Sequence, residues 1–475
     1  MFDLIIRRAL VVDPKARTKA NADVAIEDGR IAYVAESIDA DAKETLDAQG
    51  LVLQPGIIDT HLHLSVSPKS HAMVVRAGVT TALDMSGPTD QILREARENG
   101  YGLNIAILNA IVPGQNVSDN NPDEKQIDRF VTESLAGGAF GVKLLGGHFP
   151  LTPEASGRMV RTAAERNVYM AWHAGTTNAG SDLAGLTEAV AICDGHPVHM
   201  AHLNAYCRGR LKPVLDECRE AAALLESHPE LVTESYLSAR NGCPLDMKTD
   251  GTPMSAIVTR NLAALGFEPS AEGVCAAVRV GILGVLVPEN DDIAVISGKE
   301  GEAYFREAVA NGRHIDGSFD GVNPFASRAF FATARRTDGC FLVDGISTDG
   351  GGIPRNVIVE SGLSLVKLGG LDVIDFAVKT SLLPARMLGL AGKGTLAEDA
   401  DADLTIYDPV TQKARHSLVN GRFILRSGVA VGSSAQVLCT AQGVEAVRKA
   451  ELAPIEVTGG IPKLDRLSTA GLSTK

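Results

Sequence analysis

Eight short apolar runs punctuate the middle of this 475-residue chain, and stretches with helical patterning lie between them. The runs span residues 57–63, 79–84, 104–111, 141–145, 168–173, 198–203, 231–236 and 341–349. Strands alternating with helices specify a parallel sheet covered by helices, and eight is the number that closes such a sheet. The expected fold is therefore α/β, a (β/α)8 TIM-like barrel. Only the connection from Tyr236 to Phe341 is far longer than a βα turn requires. A loop of that length folds as a subdomain or lid.

Strand patterning returns at both ends. Leu4-Ile5-Ile6, Val24-Ala25-Ile26 and Ile31-Ala32-Tyr33 are matched near the other terminus by Leu404-Thr405-Ile406 and by runs flanking Asn420-Gly421. We therefore expect residues 1–55 and 391–432 to form one small β-sandwich domain. Residues 56–390 form the barrel, with an insertion at about 250–338, and residues 433–475 are an extension with no legible strand order.

A composition of 45% hydrophobic and 22% charged residues supplies a large core and excludes disorder for most of the chain. The net charge of −13 argues against nucleic acid or an anionic membrane as partner, because a phosphate surface needs a basic face. None of the seven cysteines stands in a CxxC pair, a usage that fits reduced thiols in the cytoplasm. No secretory signal opens the chain, and its most apolar stretch, 280–288, is too short to cross a bilayer.

The chemistry gathers at the C-terminal ends of the expected barrel strands. In Pro55-Gly56-Ile57-Ile58-Asp59-Thr60-His61-Leu62-His63, the two histidines stand two residues apart on a strand and present both imidazoles to one side. Gly141-Val142-Lys143-Leu144-Leu145 places an ammonium inside an apolar strand, where it is costly unless paired or neutralised. His173 and His202 close two further strands, and Asp349 ends the last before Gly350-Gly351-Gly352. His199 lies an odd number of residues from His202 and is expected to face the opposite side, as a core or helix-facing histidine. Each of these residues alone also has an ordinary structural reading, but together they form a metal-site constellation.

Residues 55–63, 198–203 and Ser381-Leu382-Leu383-Pro384-Ala385-Arg386-Met387-Leu388-Gly389-Leu390 resemble the amidohydrolase superfamily, and the resemblance extends over about residues 1–430. It implies two divalent ions, usually zinc. His61, His63 and Asp349 would hold one ion, and His173 and His202 the other. Lys143 would be carboxylated by CO2 and bridge the two. A hydroxide between the ions would attack an amide carbonyl, with Asp349 passing its proton to the leaving nitrogen. His148 sits where hydantoinases carry an oxyanion-binding tyrosine, which makes it a second catalytic candidate.

Lys143 and the run 199–204 resemble the cyclic amidohydrolases: hydantoinases, allantoinases and dihydroorotases. The glycine-rich segment after Asp349 looks more like isoaspartyl dipeptidase and the D-aminoacylases. Arg208, Arg210, Arg240 and Arg355 follow the later strands, and Asn204, Tyr206 and Asn241 accompany them. Two of the four arginines are expected only to solvate the rim, while the others suit a substrate carboxylate. The expected activity is hydrolysis of a C–N bond in a small cyclic amide or imide (hydantoin-, imide- or lactam-like) that bears an anion. The alternatives are an N-acyl-amino-acid deacylase or dipeptidase acting on a linear amide, or a non-catalytic assembly protein of the same fold. Proteins of this type commonly associate, so a homo-oligomer is expected.

Overall fold

The computed structural model describes residues 1–290 and 292–466. Its centre is a parallel sheet of β1 (Ile57–His63), β2 (Val79–Asp84), β3 (Tyr101–Ala110), β4 (Gly141–Leu145), β5 (Tyr169–His173), β6 (His199–Met200), β7 (Val232–Tyr236) and β8 (Gly345–Ser347). The strands pair in chain order. The last strand is split: Gly345–Ser347 pairs with β7, and Gly350–Gly351 pairs with β1. Asp349 lies in the break with φ +52°, and its N–H donates to His61 O at 2.8 Å. The (β/α)8 expectation and the separate terminal sheet are both met.

Covering helices follow the strands because each has an apolar stripe and a defined start. Glu124–Ala136, Pro153–Glu165 and Leu183–Cys193 are opened by Asp123, Thr152 and Asp182, whose side chains accept the orphan N–H groups of the first turn. On β4, Val142 and Leu144 enter the core shared with these helices, which leaves Lys143 on the barrel side. Among the described residues, no helix is long and apolar enough to cross a membrane. All seven cysteines are buried free thiols.

Both termini build one nine-stranded sheet, in which Val52–Pro55 joins the N-terminal strands to Leu404–Asp408. The excursion after β7 carries its own four-stranded sheet, with Asn241–Pro244, Asp316–Phe319, Leu283–Glu289 and Asp292–Ile296 in that order. Helices Ala256–Ala264, Ala271–Arg279 and Gly298–Ala310 pack around its core of Leu245, Val274, Val285, Phe305 and Phe319. This subdomain rests on the barrel through an apolar contact of Leu286 and Ile293 with Met73.

The tail has strand order that its sequence does not advertise. Ser434–Cys439 pairs in parallel with β3, and Ala453–Glu456 pairs with it in turn. Beyond them the chain crosses the N-terminal end of the barrel, where Arg466 Nε lies 2.6 Å from Asp344 Oδ1.

The expected strand 198–203 is only His199–Met200. The chain then leaves extended geometry, with His202 at φ +37°, and enters a tight turn over Leu203–Tyr206. The alternation of faces therefore stops before His202, so the facing expected of His199 is corrected while its reading as a core histidine holds. His199 is buried on the barrel side, sharing a 2.9 Å hydrogen bond with the Tyr169 hydroxyl, and its Nε2 lies 3.9 Å from Glu234.

Candidate metal centre

His61, His63 and Asp349 converge at the C-terminal end of the barrel, with their ligating atoms within 4.8 Å of one another. Two-residue periodicity on β1 brings the imidazoles together, and the break in β8 turns Asp349 towards them. Asp349 Oδ1 lies 3.4 Å from His61 Nε2 and 3.1 Å from His63 Nε2. The far side of each ring is held: His61 Nδ1 donates to Glu234 Oε1 at 2.7 Å, and His63 Nδ1 shares a 3.0 Å hydrogen bond with Ser86 Oγ. With its proton on Nδ1, His61 presents a bare lone pair to a carboxylate oxygen. Two acceptors facing each other without a proton between them suit a cation.

Asp349 is also gripped from behind, since Arg355 Nη1 lies 2.7 Å from its Oδ2. Burial alone would raise this carboxyl, but the Arg355 guanidinium, with the hydrogen bond to His63 Nε2 beside it, outweighs burial and holds the group well below the usual range. Glycine is required on this wall. Gly351 has φ +78°, and a Cβ there would lie 2.2 Å from His63 O.

His173 and His202 form a second pair, with His202 Nε2 3.0 Å from His173 Nδ1. The His61 and His202 rings stack at 5.0 Å, so the two histidine groups adjoin. Burial pushes His61, His173 and His202 well below the ordinary imidazole value, which keeps them neutral as metal ligation requires. Lys143 lines the same cavity and is almost fully buried, and among the described residues its Nζ finds only the Met85 sulfur, at 3.1 Å. Burial brings this amine down to about 8, against the pull of Glu234, Asp349 and Asp84. His148 is exposed at the rim, its ring 5.4 Å from that of His173.

These groups open into a cavity of about 280 Å³ lined by His61, His63, Lys143, His148, His173, His202 and Asp349. Arg208, Arg210, Asn241 and Arg355 line it as well. The loop carrying Arg208 and Arg210 is pinned by buried Glu217, which accepts from the N–H groups of Gly209, Leu211 and Lys212. Arg208 is braced by Asn323 Oδ1 at 2.9 Å and by the Tyr236 hydroxyl at 3.1 Å.

Three candidates lie outside the lining. Asn204 Oδ1 accepts from Tyr236 N, Tyr206 OH accepts from Ala174 N, and Arg240 is joined to Asn323 through its backbone carbonyl. Sequence reasoning missed Glu234, Glu217 and Arg260. The first had one legible signal, an acidic residue inside the apolar run 231–236. Arg260 comes from the insertion, which also supplies Ile257, Asn261, Leu286 and Asp316 to the wall.

No family model matches the chain. A dihydroorotase of Streptococcus thermophilus is 31% identical over 134 residues, covering 24% of this chain and 32% of that protein. An allantoinase of Escherichia coli is 36% identical over 100 residues, covering 19% of this chain and 21% of its own. The matches thus span about a third or less of the length of these curated relatives. Among solved structures, a D-aminoacylase described as defining a novel subset of amidohydrolases aligns with TM-score 0.65 at 18% identity, covering 92% of this chain and 99% of its own. The dihydropyrimidinase of Brevibacillus agri aligns with TM-score 0.59 at 16% identity, covering 97% and 100%. At such identities the likeness is one of fold.

Proposed function

We propose that this chain, an amidohydrolase-superfamily barrel by its fold and its local sequence matches, is a metal-dependent hydrolase of a C–N bond in a small amide bearing an anion. The observation that carries the reading is the convergence of acceptor atoms from His61, His63 and Asp349. His61, His63 and Asp349 would hold one divalent ion, and His173 and His202 a second. Lys143 would serve as a carbamate between them. Its amine meets two conditions for that modification: burial lowers its pKa so that a neutral fraction can react with CO2, and among the described residues no carboxylate lies within ion-pair distance of it. Zinc suits the imidazole-rich donor set. Bound ions of this kind supply Lewis acidity and bring the pKa of water towards neutrality.

The chain's own groups do the rest. Asp349 Oδ1 is the proton acceptor and relay to the leaving nitrogen, because Arg355 occupies only Oδ2. Arg208, Arg210, Asn241 and Arg355 line the cavity and are suited to hold the substrate anion. His148 at the rim can donate to the carbonyl oxygen as negative charge develops there.

A cyclic amide or imide is the favoured substrate. A linear N-acyl amino acid is the second reading, favoured by the apolar wall of Ile257, Leu286 and Ile353, which would accept an acyl chain. A panel of hydantoins, cyclic imides, lactams and N-acyl amino acids separates them, since ring opening yields one product molecule and deacylation two. Protein purified without chelator should carry about two divalent ions per chain, and chelation should abolish turnover until zinc, manganese or cobalt is restored. A fully active, metal-free preparation would sink the proposal.

A further inference from the structure

Glu234 stands behind the metal centre and touches three of the elements that form it. Its carboxylate is completely buried on β7. Oε1 accepts from His61 Nδ1 on β1 at 2.7 Å and from the backbone N–H of His202 at 2.5 Å. Oε2 accepts from the Ser347 hydroxyl at the end of β8, just before Asp349. Each contact fixes something different. The first sets the His61 tautomer, so that Nε2 carries the lone pair on the cavity side. The second holds His202 at φ +37°, a left-handed conformation that is uncommon for a residue with a side chain. The third ties down the strand end from which Asp349 turns.

The Glu234 carboxylate is closed off from solvent. No arginine or lysine forms an ion pair with it among the described residues. A buried anion ringed by neutral imidazoles is compensated when divalent cations occupy the other side of those rings.

We propose that Glu234 is the positioning residue of the metal centre: one buried carboxylate that orients His61, His202 and the β8 end together and raises the affinity of the site for divalent ions. This rests on the metal-centre reading above. Glu234 touches no substrate atom, so it acts through the histidines.

The test is zinc affinity by chelator competition, with the visible spectrum of the cobalt-loaded protein alongside. Glu234→Gln is nearly isosteric: its amide oxygen can still accept from His61 and His202, and its NH2 can donate to Ser347 Oγ. The variant should keep the melting temperature of the metal-free protein, bind zinc about 10–100-fold more weakly and show an altered cobalt spectrum. A merely structural Glu234 would instead lower the melting temperature and leave affinity and spectrum unchanged, which would overturn the inference. A neutron structure of the zinc-loaded wild-type protein checks the same point without a substitution. Deuterium on His61 Nδ1 supports the role of Glu234, and deuterium on Nε2 overturns it. Failure of the wild-type protein to bind zinc at all would remove the proposed function together with this inference, whereas equal affinity in wild type and Glu234→Gln would remove the inference alone.

Discussion

Asp344 and Asp349 lie at opposite ends of the same barrel strand, and each is paired with a guanidinium. Asp344, at the N-terminal end, is surrounded entirely by donors: Arg466 Nε and Nη2, and the N–H and hydroxyl of Thr233. Asp349, at the C-terminal end, receives Arg355 on one oxygen and turns the other towards two imidazole nitrogens. The first carboxylate is satisfied on both oxygens by the protein itself, but the second turns one oxygen to the cavity, where it meets His63 Nε2 at 3.1 Å and His61 Nε2 at 3.4 Å. That asymmetry is the usual division of labour in an α/β barrel, in which one face carries stability and the other chemistry.

The comparison can be broken by exchanging the two kinds of effect. Asp349→Asn keeps an oxygen for a metal but cannot take a proton, so turnover of the metal-loaded protein should fall by roughly 10²–10⁴-fold. Metal content should stay near that of the wild type, and binding of a substrate analogue should change much less. The expected result at the other end is the reverse. Arg466→Met leaves Asp344 buried without its cation and should cost about 3–5 kcal/mol in urea unfolding, with kcat unchanged under folding conditions. Were Arg466→Met to slow turnover in fully folded protein, the division between the two ends would be wrong.

The rim sharpens the comparison at smaller scale. Arg210 and Arg260 line the cavity from different units, the β6 loop and the insertion. Arg210→Met and Arg260→Met should each raise KM for an anionic amide about tenfold or more and leave a neutral analogue nearly unaffected. Arg240→Met should do least, with KM and stability both within about 0.5 kcal/mol of wild type, because Arg240 is outside the cavity lining and is tied to Asn323 through its backbone. Steady-state kinetics on paired charged and neutral substrates measures all three.

The order of elements, the barrel and the His61–His63 pair were legible in the sequence because they rest on local periodicity. Apolar runs specify strands, alternation puts two histidines on one side, and a lysine in an apolar strand announces a buried amine. The same local rule misplaced His199, because alternation holds only while the chain stays extended, and the strand ends at Met200. What only the tertiary structure decided was which groups meet across long separations. Glu234 reaches His61 from β7, Arg260 arrives on a subdomain folded over the barrel mouth, and Asn204 and Tyr206 turn inward to backbone atoms. The tail finds its partner strand in β3, and Arg466 finds Asp344. Periodicity is a property of neighbours in the chain, whereas the closing of a barrel sets the distances between residues hundreds of positions apart, so the sequence alone determined the types and strands of the candidate site residues and folding alone determined their company.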